Sequence, residues 1–477
     1  MEHPTSFKIL TGHPVMKAIY RVSQEVETPI YLVGGAVRDL LMGILPEKDF
    51  DFVMRDNLIQ SARLFSRISF GSFFPLSSDP PNYRVVLLHD DQRVEVDFSG
   101  FRGDDLCQDL SNRDFTVNAI ALEVNALFQE EEIKLYDPLG GANDLQRKML
   151  RLASPRSFDH DPLRILRAVR IAKERGLNIE AQTREAMCRQ KNRLFSVSVE
   201  RVRSEFFKIL SFSDAKKSLS LLDELGLLSL LIPTTEVLEE NAFGSPAHWP
   251  LEDYSLEVVS WCEWVLEHFG EFFPQSHDYV KTHFKEMVEE DVDRRSLLKF
   301  GGLLYNRGKT FSNKRKNVLL EEIIRNFKLG KRAGKILRKM LESYNKRPYP
   351  WEMEKPNPRV FFRFFQDMGS EGLEVILLWW ADYVSRFPEK LEHQEDIVFR
   401  DSINCLVNYY FKEHPITKPL LSGRDVIEKF GLKEGKVVGD LLNQVARAEA
   451  QGLLCSPEKA FLYVENLLQQ KRRDLVI

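Results

Sequence analysis

Between residues 31 and 54 the chain reads YLVGGAVRDLLMGILPEKDFDFVM. An apolar run stops at two glycines, a short helix-like stretch follows, and aspartates then alternate with phenylalanines. Few folds accept this order. The alternation puts Asp49 and Asp51 on one face of a strand and turns Phe50 and Phe52 to the other. A strand that ends in Gly34-Gly35 and enters a helix aims unpaired backbone N–H groups beyond the turn, where the helix dipole also favours an anion. Read alone, Gly-Gly is a tight turn and D-x-D is a wet strand edge. Together they point to a phosphate held beside a pair of carboxylates.

Two further strands are expected from YRVVLLH (83–89) and RVEVDFSG (93–100), split by DDQ. Glu95 and Asp97 alternate as Asp49 and Asp51 do, and either supplies a third metal-facing carboxylate, with Asp97 the preferred one. Neighbouring carboxylates repel unless a cation neutralises them. Mg²⁺, held by a few carboxylates plus substrate phosphates, suits such a site. Two such ions activate an attacking hydroxyl and steady a leaving pyrophosphate. Arg38 and Asp39, one turn into the helix, either brace the site as an ion pair or face the phosphates.

After LYDPLGGANDL (135–145) the pattern changes. Helical periodicity dominates from Arg164 onward, broken at LIPTTE, NKRPYPWEMEKPNPR and KEHPITKPLLSG. The expected class is therefore α+β, a small mixed head followed by an all-helical remainder. In HDPLR, Asp161 before Pro162 is a good helix N-cap. Asp161 and Arg164 also lie three apart on one face, an acceptor and a forked donor of the kind that bonds a nucleobase edge.

A chain of 477 residues allows roughly two to four domains. No apolar run reaches the ~18 residues of a membrane span, and MEHPTSFKIL lacks the layout of a secretory signal. Five scattered cysteines without a C-x-x-C pair suit a reducing compartment, so the cytoplasm is expected and no membrane association. A net charge of −4 excludes a general polyanion coater. Locally, however, Arg307 to Arg347 holds fourteen Lys or Arg against three Glu. That run is either a solvated helical face or a surface that tracks phosphates.

LVGGAVRDLLMG…DFDF, NRDFTVNAIAL (112–122), YDPLGGANDL (136–145), DHDPLRILRAVRIA (159–172) and SVERVRSEFFKIL (198–210) follow one another in order. This series resembles the class II tRNA nucleotidyltransferase and bacterial poly(A) polymerase family. The resemblance implies a polymerase-β-like palm as head (1–150), then a helical neck (151–240), body (241–347) and tail (348–477). It implies that Gly34, Gly35 and Arg38 hold the triphosphate and that Asp49 and Asp51 bind two Mg²⁺. Asp97 would orient or deprotonate the attacking 3′-hydroxyl. Arg113 would meet phosphate, Asp114 and Asn118 would shape the sugar and phosphate site, and Asp161 and Arg164 would select the base. Arg167 and Arg170 would complete the nucleotide site, while Glu200, Arg201 and Glu205 would buttress the selecting helix through salt bridges.

Three departures stand out against that family. Asn112 and His160 occupy positions where relatives often carry an arginine and an acid. LLKFGGLLYNRGK (297–309) resembles the central helix of a metal-binding HD domain, but Tyr305 and Asn306 replace its His-Asp pair and Tyr254 replaces an upstream histidine. Only SGFRGDDLCQDLSN (99–112) joins the Asp97 strand to Arg113, which resembles partial-activity members, particularly CC-adding ones. The expected activity is addition of C and/or A of the 3′-terminal CCA to tRNA from CTP and ATP. The tRNA 3′ end, acceptor stem and elbow would be the partner. Its rivals are a poly(A) polymerase and, more distantly, a non-catalytic RNA-binding protein.

Overall fold

The sheet forms where the alternating segments predict it. In a computed structural model, β1 (Tyr31–Val33), β2 (Asp49–Met54), β3 (Ser72–Ser78), β4 (Pro81–His89), β5 (Gln92–Gly100), β6 (Ala121–Glu123) and β7 (Leu135–Tyr136) build one sheet in the order β3-β4-β5-β2-β1-β6-β7. The structure describes residues 5–78, 81–129, 135–232, 251–274, 276–305, 313–343, 364–365, 367–386, 401, 404, 407, 420–432, 435–450, 454 and 456–474. Strands β2 and β5 pair in parallel and the remaining neighbours pair antiparallel. Strand β3 escapes the sequence reading because SFFPLSS carries a proline. It lies at the sheet edge with an irregularity between Pro75 and Ser77, where a missing N–H is tolerated.

Each face of the sheet has its own core. Phe50, Phe52, Val85, Val94, Val96 and Phe98 pack in one cluster with the amphipathic helices Pro14–Val26 and Leu58–Ser69, which contribute Ile19, Val22, Ala62 and Phe65. The opposite face is open at Asp49 and Asp51 on the central strand β2. Further along, a smaller cluster of Val33, Val53, Leu106, Leu110, Ala119 and Ala121 covers it. The helix Leu106–Ser111 thus lies over the face that carries Asp51, and Asp105 caps it by accepting a 2.8 Å bond from Gln108 N. The YDPLGGANDL segment closes behind this. Asp137 accepts from the backbones of Gly141 and Ala142 at 2.7 and 2.9 Å, and a Cβ on Gly141 would stand 2.1 Å from Thr116 O.

The chain divides into two compact units, Met1–Ile209 with Lys217–Thr234, and Leu210–Lys216 with Thr235–Ile477. The seven-stranded sheet lies in the first unit. In the second unit the helices Leu251–Glu267, Arg294–Tyr305 and Gly372–Arg386 pack together around a fully buried Trp380, which meets the Trp261 and Trp264 rings at 5.8 Å. Tyr254 is fully buried there. Its hydroxyl donates to Asp382 Oδ1 at 2.7 Å and accepts from Arg386 Nε at 3.1 Å. A phenol, a carboxylate and a guanidinium thus satisfy one another, and Asn306 lies outside the described residues. A third cluster gathers Val426, Leu441, Val445, Ala460 and Val464 from three C-terminal helices. Among the described residues no helix is long and apolar enough to cross a membrane.

The basic run from Arg307 is partly neutralised by the fold. Arg332 pairs with Glu286, Arg338 with Glu321 at 2.5 Å, and Lys335 and Lys339 with Glu371 at 3.4 and 3.0 Å. The raw excess of positive charge in the sequence therefore overstates what this surface offers to a polyanion.

Candidate active site

Four carboxylates share the open face of the sheet. Asp49 and Asp51 are exposed on β2, between Phe50 and Phe52 on the core side. The parallel register sets Asp49 against Glu95 and Asp51 against Asp97. Both aspartates are reached by solvent yet sit low among their neighbours. For Asp49, desolvation raises the carboxyl pKa, Glu95 and Asp97 add to this, and Arg84 opposes it. For Asp51, desolvation again comes first, opposed by Arg113 and reinforced by Asp97 and Asp49. Both carboxylates are therefore held above the ordinary range by lost water and by each other.

Asp97, the preferred third ligand, is already occupied. Arg84 grips it at two points, Nε to Oδ1 at 2.8 Å and Nη2 to Oδ2 at 2.9 Å, and its Nη1 pairs with Glu95. Arg93 joins Glu95 at 2.7 Å. Among the described residues no group of three acids, histidines or cysteines is disposed to hold a metal ion. Asp49 and Asp51 remain. Two exposed, mutually repelling carboxylates fit a hard dication whose other ligands come from phosphate and water.

The glycine turn meets this pair directly. Gly34 has φ +75° and ψ −138°, a conformation that glycine alone adopts readily. A Cβ there would lie 3.1 Å from Asp51 Oδ2 and 3.4 Å from Arg113 Nη1. One backbone position, one carboxylate and one guanidinium thus converge. Arg113 is aimed by Asp109, a fully buried residue of the helix Leu106–Ser111, whose Oδ2 accepts from Nε at 3.2 Å and Nη2 at 3.1 Å.

Behind the turn runs a continuous polar chain. Arg175 and Arg38 both hold Asp39 at 2.8 Å, and Arg38 Nη1 donates to Asn118 Oδ1 at 2.8 Å. Asn118 Nδ2 donates to Asp114 Oδ1 at 2.9 Å, and Arg167 Nη2 donates to Asp114 Oδ2 at 2.8 Å. Of the two roles open to Arg38 and Asp39, the structure displays the bracing one. Burial works to raise the Asp114 pKa, but Arg167, the Asn118 amide and Arg164 outweigh it and hold the carboxyl well below the usual range. Arg170 points instead to Glu205 and Glu174, at 2.6 and 2.8 Å.

Asp161 and Arg164 are not side by side as helical spacing suggests. Asp161 Oδ1 accepts from Leu163 N at 3.2 Å within the turn that precedes the helix, while Oδ2 accepts from Arg201 at 2.7 Å. The helix itself runs Arg164–Arg175, with Pro162 and Leu163 forming the turn before it. Arg164 turns inward and is 8% exposed. Its guanidinium donates to Arg113 O and Asn112 O at 3.0 Å and to Ser157 Oγ at 2.7 Å. The carbonyls of Asn112 and Arg113 and the Ser157 hydroxyl, brought together by the fold, make a better nest for a forked donor than solvent does.

Sequence reasoning missed Arg84, Asp109, Ser157 and Arg175. Arg84 was within reach of it. Asp90 and Asp91 have φ of +49° and +59°, so they form a two-residue hairpin turn with left-handed centres. Such a turn at residues 90 and 91 fixes Arg84 opposite Asp97. Asp109 and Arg113 are four apart, but the others depend on contacts between distant segments.

A mixed sheet with same-face carboxylates on adjacent parallel strands, beside a glycine turn and a fixed arginine, defines a polymerase-β-like nucleotidyltransferase head. Comparison with known proteins agrees with this class. Residues 30–151 match the Poly A polymerase head domain and residues 176–238 the probable RNA and SrmB-binding site of polymerase A. The CC-adding tRNA nucleotidyltransferase of Geobacter sulfurreducens is 27% identical over 91% of each chain. The A-adding tRNA nucleotidyltransferase of Deinococcus radiodurans is 28% identical over 92% of this chain and 95% of its own. A solved CCA-adding enzyme in complex with ATP superposes with a TM-score of 0.62 at 22% identity, over 97% of this chain and 96% of that one. This chain is an enzyme of the nucleotidyltransferase type, and over residues 30–151 it carries the head domain of the nucleotidyltransferase family. That family generally uses divalent metal ions.

Proposed function

We propose that the protein adds C and/or A of the terminal CCA to the 3′ end of tRNA, from CTP and ATP, with release of pyrophosphate. The observation that carries this reading is the convergence of Gly34, Asp51 and Arg113. The turn and Arg113 receive the triphosphate, and Asp49 and Asp51 receive Mg²⁺. A divalent ion bound there supplies charge neutralisation at the attacking and leaving oxygens. The chain itself supplies position. Asp109 holds Arg113 toward the leaving phosphates, and Asp114, Asn118, Arg38 and Arg167 hold the turn that carries the sugar and phosphates. Asp97 lies across from Asp51 with lone pairs left to orient the 3′-hydroxyl, its charge balanced by Arg84. Asp161 and Arg164 select the base once Arg164 leaves its carbonyl nest, and Arg170 keeps their helix against Glu205. Catalysis by such placement depends on fixed charge more than on proton transfer. The tRNA acceptor stem and elbow run along the helical remainder, and the cytoplasm is the proposed compartment.

A narrower reading, addition of CC only, is favoured by one feature. The connection from Asp97's strand to Arg113 is occupied by the capped helix Leu106–Ser111, anchored by buried Asp109. Little chain is left over for a switching loop. To test both readings, tRNAs ending at the discriminator base, at C or at CC are incubated with CTP and ATP separately, and the products resolved on a gel. The broad reading expects C added to the first two, A added to the third, or both; the narrow one expects C on the first two and no A on the third. Continued adenosine addition to unstructured RNA would establish the poly(A) rival. Asp49→Ala should abolish addition while tRNA affinity stays nearly unchanged, and RNA extension by that variant would refute the metal assignment.

A further inference from the structure

The sheet registers place four residues in one transverse row. Phe74 stands opposite Arg84, Arg84 opposite Asp97, and Asp97 opposite Asp51. Strands are spaced about 4.8 Å apart, so Arg84 begins roughly 10 Å from Asp51 on the same face. Its guanidinium does not reach into solvent toward a polyanion. It folds back over β5, where Nε and Nη2 take both oxygens of Asp97 and Nη1 takes Glu95. One side chain thus ties up both carboxylates that flank Asp49 and Asp51. A two-point guanidinium–carboxylate pair is geometrically specific and stronger than a neutral hydrogen bond.

We propose that Arg84 is a built-in counter-cation that keeps Asp97 and Glu95 from acting as metal ligands, so that divalent-ion binding waits for the nucleotide. The inference rests on Asp49 and Asp51 being the metal-binding pair. With Arg84 in place, an ion reaching the bare protein meets two carboxylates and must complete its shell with water. When it arrives on a triphosphate, the phosphate oxygens supply what Asp97 does not. Without Arg84 the pair Glu95 and Asp97 keeps only Arg93, which bonds Glu95, and Asp97 swings free directly across from Asp51. A third protein ligand would then hold the ion before substrate comes. Arg84 is a positioning residue in this scheme and touches neither ion nor nucleotide.

The test is binding of Mn²⁺ to the full-length protein without nucleotide, followed by the electron paramagnetic resonance of the free ion and by calorimetry. Arg84→Gln is expected to bind Mn²⁺ about ten-fold more tightly than the parent, the lower end of what changes to outer-shell partners produce. Arg84→Gln combined with Asp97→Asn should return to the parental affinity. Arg84→Lys, which keeps the charge but not the fork, should fall between. Circular dichroism melts establish that each variant is folded. Affinity of Arg84→Gln within two-fold of the parent, or a gain that survives Asp97→Asn, would overturn the proposal. Asp49→Asn/Asp51→Asn separates the two levels of inference. If that variant binds Mn²⁺ with CTP as well as the parent does, the metal pair itself is wrong. If it loses binding while Arg84→Gln gains nothing, only the role of Arg84 fails.

Discussion

Replacing Gly34 by alanine tests the site through its backbone. Two costs are separable. The first is conformational, because φ +75° with ψ −138° is hostile to any residue with a Cβ, and holding a side chain in such a region costs about 1–3 kcal/mol. The second is contact. The new methyl would lie 3.1 Å from Asp51 Oδ2 and 3.4 Å from Arg113 Nη1, so the carboxylate must give way by a few tenths of an ångström. Gly43 is the control, since it has φ +77° with nothing within 4 Å of its would-be Cβ. Gly43→Ala should therefore lower stability by a similar 1–3 kcal/mol, read from urea denaturation, and leave turnover intact. Gly34→Ala should lose comparable stability and in addition lose about 10²-fold in nucleotide addition, the scale on which a catalytic group displaced by an ångström or less is felt. Equal turnover in the two variants, at equal fractions folded, would refute the claim that Gly34 exists to let backbone, carboxylate and guanidinium meet.

Two further outcomes follow from buried polar groups. Arg167→Met removes the main cation from Asp114, whose side chain is 10% exposed, while that of Arg167 is 35% exposed. The loss at pH 7 should be about 2 kcal/mol, below the 3–5 kcal/mol typical of fully buried pairs because solvent screens Arg167. Its pH dependence carries a sign. In the parent the Asp114 pKa is depressed, so its stabilisation is present above the ordinary carboxylate range and is lost as pH falls through the folded value. In the variant burial dominates and the pKa rises, so acidification relieves a penalty. The gap between the two proteins should narrow from pH 7 to pH 4 in denaturation experiments, and a constant gap would show that Arg167 acts by packing alone. In the second unit, Tyr254→Phe deletes the hydroxyl that joins Asp382 and Arg386 and should cost about 1–3 kcal/mol. A neutral result would mean that water replaces it without penalty.

The strand pattern was legible because alternation is a local property. DFDFVM and RVEVDF each place their acids on one face whatever lies beyond them, so Asp49, Asp51, Glu95 and Asp97 were found together from the sequence. The edge strand β3 was not, since Pro75 breaks the pattern that marks a strand and only the pairing with β4 restores it. The same limit explains Asp161 and Arg164. Spacing put them on one helical face, but Arg164 turned toward carbonyls of Asn112 and Arg113, and no helical periodicity encodes the position of oxygens so far away along the chain.

By itself the sequence determined the glycine turn, the alternating strands and the carboxylate face, because each follows from chemistry among residues close along the chain. The tertiary structure alone decided which charges are free to act. Arg84 binds Asp97, Asp109 aims Arg113, and Glu205 draws Arg170 aside. Electrostatic pairing depends on distances in space, and those distances are set only when strands and helices remote in sequence pack against one another.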